Sequence, residues 1–108
     1  MDAAMSSYNA NLKDMQFVLF DVLNAESKFA ELGFGDANRE LVNAVLEEAA
    51  RFCESQLAPL NAIGDQQGCT HDPVTHDAKT PDGFKHAYDQ YVEMGWPSLV
   101  SPVEFLAY

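Results

Sequence analysis

The chain has 108 residues, 47% of them hydrophobic, and a formal net charge of −11 that comes from 17 acidic residues against 6 Lys and Arg. This length allows one domain at most, and so strong an acidic balance argues against binding to nucleic acid or to anionic membranes, which clustered Lys and Arg side chains would mediate. No apolar run approaches the roughly 20 residues that span a bilayer, and the N-terminus shows no secretory signal. A single cytoplasmic domain over residues 1–108 is therefore expected.

The first predicted helix follows a small, polar segment, residues 1–10, that is expected to be frayed. Asn11 has the side chain of an N-cap residue, and Asp14 stands three positions later, as in a capping box. An apolar stripe at helical spacing continues from there. The stripe consists of Met15, Val18, Leu19, Val22 and Phe29.

Phe17 and Phe20 fall on the opposite side of the same predicted helix. A helix with apolar residues on two sides is either enclosed by its neighbours or lacks a partner. Two interpretations therefore stay open. In one, a three-helix core surrounds the rings; in the other, the rings face a second copy or absent domains.

The second predicted helix lies between two kinds of helix breaker. Gly33–Phe34–Gly35 interrupts the first helical pattern, and Asn38 is the expected N-cap of the next helix. Pro59 cannot donate a hydrogen bond to the Ser55 carbonyl, so this helix should end or kink near Leu57. Its apolar stripe consists of Leu41, Val42, Val45, Leu46, Ala49, Phe52, Cys53 and Leu57.

A long loop over residues 64–79, with a short extended pair around Val74, should separate the second helix from the third. Thr80 and Pro81 form an N-cap and N1 pair, and Gly95 with Pro97 should end the helix. The third stripe consists of Phe84, Ala87, Tyr88, Tyr91 and Val92. The predicted fold is all-α, with three main helices in a small up-down bundle.

The segments 11–20 (NLKDMQFVLF), 33–61 (GFGDANRELVNAVLEEAARFCESQLAPLN) and 83–105 (GFKHAYDQYVEMGWPSLVSPVEF) occur in this order. Together they resemble the N-terminal helical region of the acyl-CoA dehydrogenase family, in a subgroup that has an extra N-terminal segment. The resemblance implies a fragment of an FAD-dependent enzyme that desaturates acyl-CoA thioesters. In that family the flavin contacts and the glutamate base lie mainly in the middle and C-terminal parts.

The resemblance therefore assigns no catalytic and no flavin-binding residue to this chain, which is expected to be inactive alone. Glu47, Glu48 and Glu104 are carboxylates without the surroundings of a general base, and there is no dinucleotide-binding or P-loop pattern. The alternative is a free-standing interaction or dimerisation module that uses the Phe17/Phe20 face. The expected partners are a second copy or the missing dehydrogenase domains.

One cluster has metal-ligand chemistry: Cys69, His71, Asp72, His76 and Asp77 lie within nine residues of a predicted loop. Zinc accepts thiolate, imidazole and carboxylate ligands, but this spacing matches no common zinc motif. No metal site is therefore assigned.

Four other residues lie at predicted packing positions. Trp96 is either a contact for a following domain or a cap over the core. Tyr88 and Tyr91 should pack on the core with their hydroxyls outward. Cys53 should be a buried, inert thiol.

Overall fold

A computed structural model describes residues 8–102, and about 65% of the described residues are helical. The mostly helical class is thus confirmed. The elements in chain order are α1 (Leu12–Gln16), a π-helical turn (Phe17–Val22), α2 (Ala25–Glu31), α3 (Arg39–Phe52), a second π-helical turn (Cys53–Leu57), α4 (Ala58–Gln67), β1 (Thr70–His71), β2 (Ala78–Lys79), α5 (Phe84–Glu93) and a 3-10 turn (Trp96–Val100).

The first helix begins as predicted and ends early. The Asn11 side chain accepts a hydrogen bond from the Asp14 amide, which confirms the N-cap. The predicted continuation to Phe29 is wrong, because Asn24 has a left-handed backbone with φ of 51° and stops the helical stretch before α2. Asparagine is one of the few non-glycine residues that adopt this conformation readily.

The predicted stop at Gly33 is confirmed, since two backbone hydrogen bonds close the end of α2. The Phe34 amide donates to the Phe29 carbonyl at 2.8 Å and the Gly33 amide to the Ala30 carbonyl at 3.2 Å, the Schellman arrangement. Gly33 takes the left-handed position with φ of 93°. Asn38 then caps α3 through its Oδ1, which accepts from the Leu41 amide at 2.9 Å.

Pro59 is accommodated by a change of helix type. The Ala58 amide donates to the Cys53 carbonyl, five residues back, so the helical path widens into a π-turn just before the proline. The Ser55 hydroxyl donates to the Arg51 carbonyl at 2.6 Å within this turn. The helical residues then continue through α4, so an end near Leu57 is wrong, and the helix changes type there instead.

The predicted loop over residues 64–79 is partly helical and partly a hairpin. Helix α4 extends to Gln67, which corrects the start of the loop. The predicted extended pair around Val74 is confirmed, since β1 and β2 pair antiparallel with Thr70 opposite Lys79 and His71 opposite Ala78. The two strands, of two residues each, form a short hairpin.

The predicted N-cap at Thr80 is wrong. Helix α5 begins after Gly83, whose left-handed φ of 88° is incompatible with an earlier helical start. Pro81 instead begins the turn that leads into the helix, and its carbonyl accepts from the Phe84 amide at 3.3 Å. The helix ends as predicted at Gly95, which has φ of 86°.

The chain divides into two compact units, Met1–Ala58 and Pro59–Tyr108. Among the described residues of the first unit, Phe20, Ala25, Ala50 and Phe52 are buried, and Ala87 is the buried hydrophobic residue of the second. The second unit also holds a close approach, because a Cβ added at Gly64 in α4 would lie 2.8 Å from the Phe84 ring of α5. The single domain and the three-helix bundle stay predictions.

Candidate functional site

An exposed apolar surface of the first unit runs along α1 and the π-turn after it. Met15, Val18, Val22 and Leu23 are 42%, 45%, 60% and 48% exposed; these four residues are called the outer face below. The Leu23 amide donates to the Val18 carbonyl at 2.9 Å, so residues five apart lie one above the other in this turn. The π-turn thereby brings both Val22 and Leu23 over Val18 and makes the surface broader than an α-helix would.

A shallow groove of about 410 Å³ adjoins the outer face. Leu19 from the π-turn and Leu46 from α3 contribute to its lining, and both are half-buried. Its other lining residues are Asp14, Met15 and Val18. Asp14 is the single ionisable residue of this groove, so the surface is built to contact aliphatic side chains and has one acidic edge.

The opposite side of the same helical stretch is partly covered. Phe20 is buried, 7% exposed, and the Arg39 guanidinium carbon lies 4.4 Å from the centre of its ring. Phe17 is 56% exposed. Both rings line a second groove of about 320 Å³, whose polar residues are Lys13, Gln16, Asp21, Arg39 and Asn43. The predicted pair is thus separated into one core ring and one surface ring.

The hairpin presents the residues predicted as possible metal ligands, all of them exposed. The Asp72 carboxylate accepts from the Val74 amide at 2.8 Å and the Thr75 amide at 3.3 Å, and these bonds hold its pKa below the ordinary 3.8. The His71 and His76 ring centres are 6.2 Å apart. Across residues 8–102, no three His, Cys, Asp or Glu side chains come together in a way that could hold a metal ion.

The carboxylates singled out in the sequence are placed on the surface or outside the described region. Glu47 and Glu48 are exposed on α3, and Glu48 forms an ion pair with Arg51. Glu104 lies outside the described residues. The Ala10 amide donates a hydrogen bond to Glu54 Oε2 at 2.8 Å. The prediction that the segment is frayed as far as residue 10 is therefore wrong at Ala10.

Backbone amides of glycine-rich turns commonly hold the phosphates of a dinucleotide. Gly64 and Gly83 have a different use here, because a Cβ added at either position would lie 2.8 Å from Phe84 or Leu60. No Lys or Arg side chain lines the groove beside the outer face. In the described part of the chain, no helix is long and apolar enough to cross a membrane.

Two smaller expectations are corrected, and a third stays open. Cys53 is half-buried and not buried, although it and the exposed Cys69 are free thiols. Tyr88 is 64% exposed, so its ring does not pack in the core as predicted. Trp96 is half-buried, and its Nε1 is buried with no hydrogen-bond partner within residues 8–102, which leaves both interpretations of this residue open.

The sequence predicts Met15, Val18 and Val22 as one apolar stripe and places the docking candidate, Phe17 and Phe20, on the other side of the helix. In the structure the three stripe residues are exposed, and the helical stretch ends at Asn24 before it reaches Phe29. The asparagine itself is the sequence signal for that stop, since this residue type adopts the left-handed conformation readily.

The chain is similar to two acyl-CoA dehydrogenases. It is 36% identical over 103 residues to a 3-methylmercaptopropionyl-CoA dehydrogenase of Ruegeria pomeroyi, and this match covers 91% of the chain and 16% of the relative. It is 32% identical over 95 residues to the broad-specificity linear acyl-CoA dehydrogenase FadE5 of Mycobacterium tuberculosis, which covers 88% of the chain and 16% of that protein. No protein-family model and no solved structure matches the chain. About nine-tenths of the chain is thus similar to acyl-CoA dehydrogenases, and the chain spans about one-sixth of the length of these two relatives.

Proposed function

We propose that this chain is the N-terminal helical part of an FAD-dependent acyl-CoA dehydrogenase and that it contributes structure and contacts, not chemistry. The observation that carries the proposal is the proportion of the matches: nine-tenths of this chain corresponds to 16% of each relative. A region of that size is one helical segment of a much longer enzyme. The up-down arrangement of three helices is part of the same proposal.

The surface chemistry supports a role in contacts. The two grooves described above in the first unit are open and shallow, and the larger of the two is lined by Met15, Val18, Leu19 and Leu46 with a single carboxylate. Catalysis of α-proton removal needs a positioned base and a bound substrate within reach. The described residues supply an apolar surface suited to packing against another part of a protein.

The isolated chain tests the first half of the proposal. Purified without any other segment, it should be colourless and show no acyl-CoA-dependent reduction of an artificial electron acceptor. A preparation with the absorption bands of bound oxidised flavin, or one that reduces the dye, would contradict the proposal.

A chimera tests the second half. The matching segment of the Ruegeria pomeroyi relative is replaced by this chain, and the chimera is assayed with that enzyme's own substrate. Retained flavin and retained activity are expected, because the two segments are proposed to be equivalent. A chimera that loses its flavin, while the same enzyme carrying its own segment keeps it, argues against equivalence.

A second candidate is a free-standing interaction module, and the 56% exposure of Phe17 favours it. Phe20 is part of the core, so the module would use Phe17 and not the predicted pair. Light scattering decides between the candidates: a dimer that Phe17→Ser converts to a monomer supports the module, and a monomer for both proteins removes it.

A further inference from the structure

The outer face is an apolar surface with one acidic edge, and its chemistry restricts what can cover it. Four aliphatic side chains, Met15, Val18, Val22 and Leu23, are each about half exposed along two turns of helix. The groove beside them has Leu46 of α3 in its lining. A row of exposed aliphatic groups next to an aliphatic groove is the surface that receives the apolar face of a helix.

The acidic edge is available for a cation. Asp14 Oδ2 accepts from the Asn11 side-chain amide at 2.8 Å. Its Oδ1 has no hydrogen-bond donor within residues 8–102. A Lys or Arg on the flank of a docked helix would pair with this oxygen beside the groove.

The net charge separates two possible occupants. A second copy of the chain would bring another formal charge of −11 to the interface, and like charges disfavour such an association. A segment with basic flanks is attracted instead. The relatives are also about six times longer than the matched region, since the match covers 16% of each, so a dehydrogenase of this kind has ample chain to supply such a segment.

We infer that the outer face docks a basic-flanked amphipathic helix from the remaining part of the dehydrogenase chain. This inference rests on the proposed function, whose partner it specifies. The helix places aliphatic side chains at i, i+3, i+4 and i+7 into the groove, and a Lys or Arg next to Asp14. It fastens the N-terminal region to the rest of the enzyme.

The experiment uses the full 108-residue chain and designed peptides of about 18 residues, roughly five turns of helix. The probe has Leu at i, i+3, i+4 and i+7 with Lys on both flanks. One control peptide replaces Lys by Glu, and another contains the residues of the probe in an order that has no apolar face. Isothermal titration calorimetry measures binding of each peptide to the chain.

The matched protein variants are Val18→Ser/Val22→Ser and, as a control, Leu99→Ser/Val100→Ser. The control changes side chains that are 65% and 90% exposed in the 3-10 turn. We expect the probe to bind the wild type and the control alike, and the Val18→Ser/Val22→Ser variant at least about tenfold more weakly, as for central contacts of an interface. Circular dichroism should show unchanged helix content, because the substituted positions are exposed.

Several results overturn the inference. They are no binding of the probe, equal binding of the scrambled or Glu peptide, and equal binding to the Val18→Ser/Val22→Ser variant. Light scattering that shows a wild-type dimer and a monomeric Val18→Ser/Val22→Ser variant would assign the face to a second copy. Peptide binding tests the inference, whereas flavin absorption and dye reduction test the proposed function. The failure of one is therefore distinguishable from the failure of the other.

Discussion

The guanidinium carbon of Arg39, the first residue of α3, lies 4.4 Å from the centre of the buried Phe20 ring. The Arg39 backbone amide donates a hydrogen bond to Glu26 Oε2, in the first turn of α2, at 2.8 Å. Arg39 therefore connects the π-turn after α1, the first turn of α2 and the start of α3. A cation over an aromatic face is stabilising, and more so when the ring is desolvated.

A double-mutant cycle measures this contact. Arg39→Met removes the charge and keeps an unbranched side chain, and Phe20→Leu removes the aromatic ring and keeps an apolar side chain. The two substitutions should show a coupling of about 0.5–2 kcal/mol in the free energy of unfolding. The control cycle pairs Arg39→Met with Phe17→Leu, whose ring lines the same groove and is exposed. The effects of Arg39→Met and Phe17→Leu on the free energy of unfolding should be additive. Equal coupling in both cycles would mean that the 4.4 Å contact contributes nothing specific.

Gly64 tests the packing of α4 against α5 within the second unit. Gly64→Ala places a Cβ 2.8 Å from the Phe84 ring, and the overpacking should lower the free energy of unfolding by about 1–3 kcal/mol. Alanine normally gains roughly 1 kcal/mol over glycine in a helix, so the net loss should be at most about 2 kcal/mol. Urea unfolding followed by circular dichroism gives the value.

Gly35→Ala is the control for Gly64→Ala, since an added Cβ at Gly35 meets nothing within 4 Å and the backbone is not left-handed. Its effect should be small or slightly stabilising. Combining Gly64→Ala with Phe84→Leu should cost less than the sum of the two changes. Additive costs would show that the ring is not what the new methyl group meets.

The bond between the Ala10 amide and Glu54 Oε2 links residues 44 positions apart and is partly buried. Glu54→Ala should lower the free energy of unfolding by about 1.5–3 kcal/mol, the range for hydrogen bonds to charged groups. Exchange of the Ala10 amide proton with solvent should also become faster. Glu47→Ala, an exposed carboxylate on α3, should change stability by no more than about 0.5 kcal/mol. Unchanged exchange at Ala10 would refute the role of Glu54.

The Asp72 carboxylate gives the hairpin a pH dependence of known sign. Backbone hydrogen bonds from Val74 first and Thr75 second lower its pKa below the ordinary 3.8. The contribution of the Asp72 carboxylate to the free energy of unfolding is therefore complete above pH 3.8. It is lost as the pH falls through the lower folded-state pKa. NMR shifts of the Val74 and Thr75 amides should titrate with a midpoint below 3.8.

Asp72→Asn is the matched variant for this titration, because the amide oxygen can accept the same bonds and does not ionise. Its Val74 and Thr75 amide shifts should be flat over the same acidic range. A midpoint at or above 3.8 in the wild type would contradict the effect of the two backbone bonds.

Local capping chemistry was predictable from the sequence. Asn11 and Asn38 each bond an amide three residues ahead, and Gly33 and Gly95 take the left-handed positions that end helices. These motifs depend on residues within one turn, so their outcome is decided by the local sequence alone. The short strand pair around Val74 was found for the same reason.

Longer-range features were not predictable in the same way. The start of α5 depends on the left-handed Gly83 and on reciprocal bonds between Gln67 and Asp82, fifteen residues apart. For the candidate site, the sequence indicated apolar residues on two sides of the first helix. Which side is covered depends on Arg39 reaching the Phe20 ring, and no pattern within the first helix specifies that contact.

The π-turn at Phe17–Val22 holds one surplus residue relative to an α-helix of the same height. In an α-helix of the unchanged sequence, the residues three and four positions after Val18 would share its face, and these are Asp21 and Val22. The wider turn places Leu23 there in place of Asp21. The surplus residue therefore keeps a carboxylate from interrupting the aliphatic row, and a return to regular α-helical spacing without a deletion would put a negative charge into it.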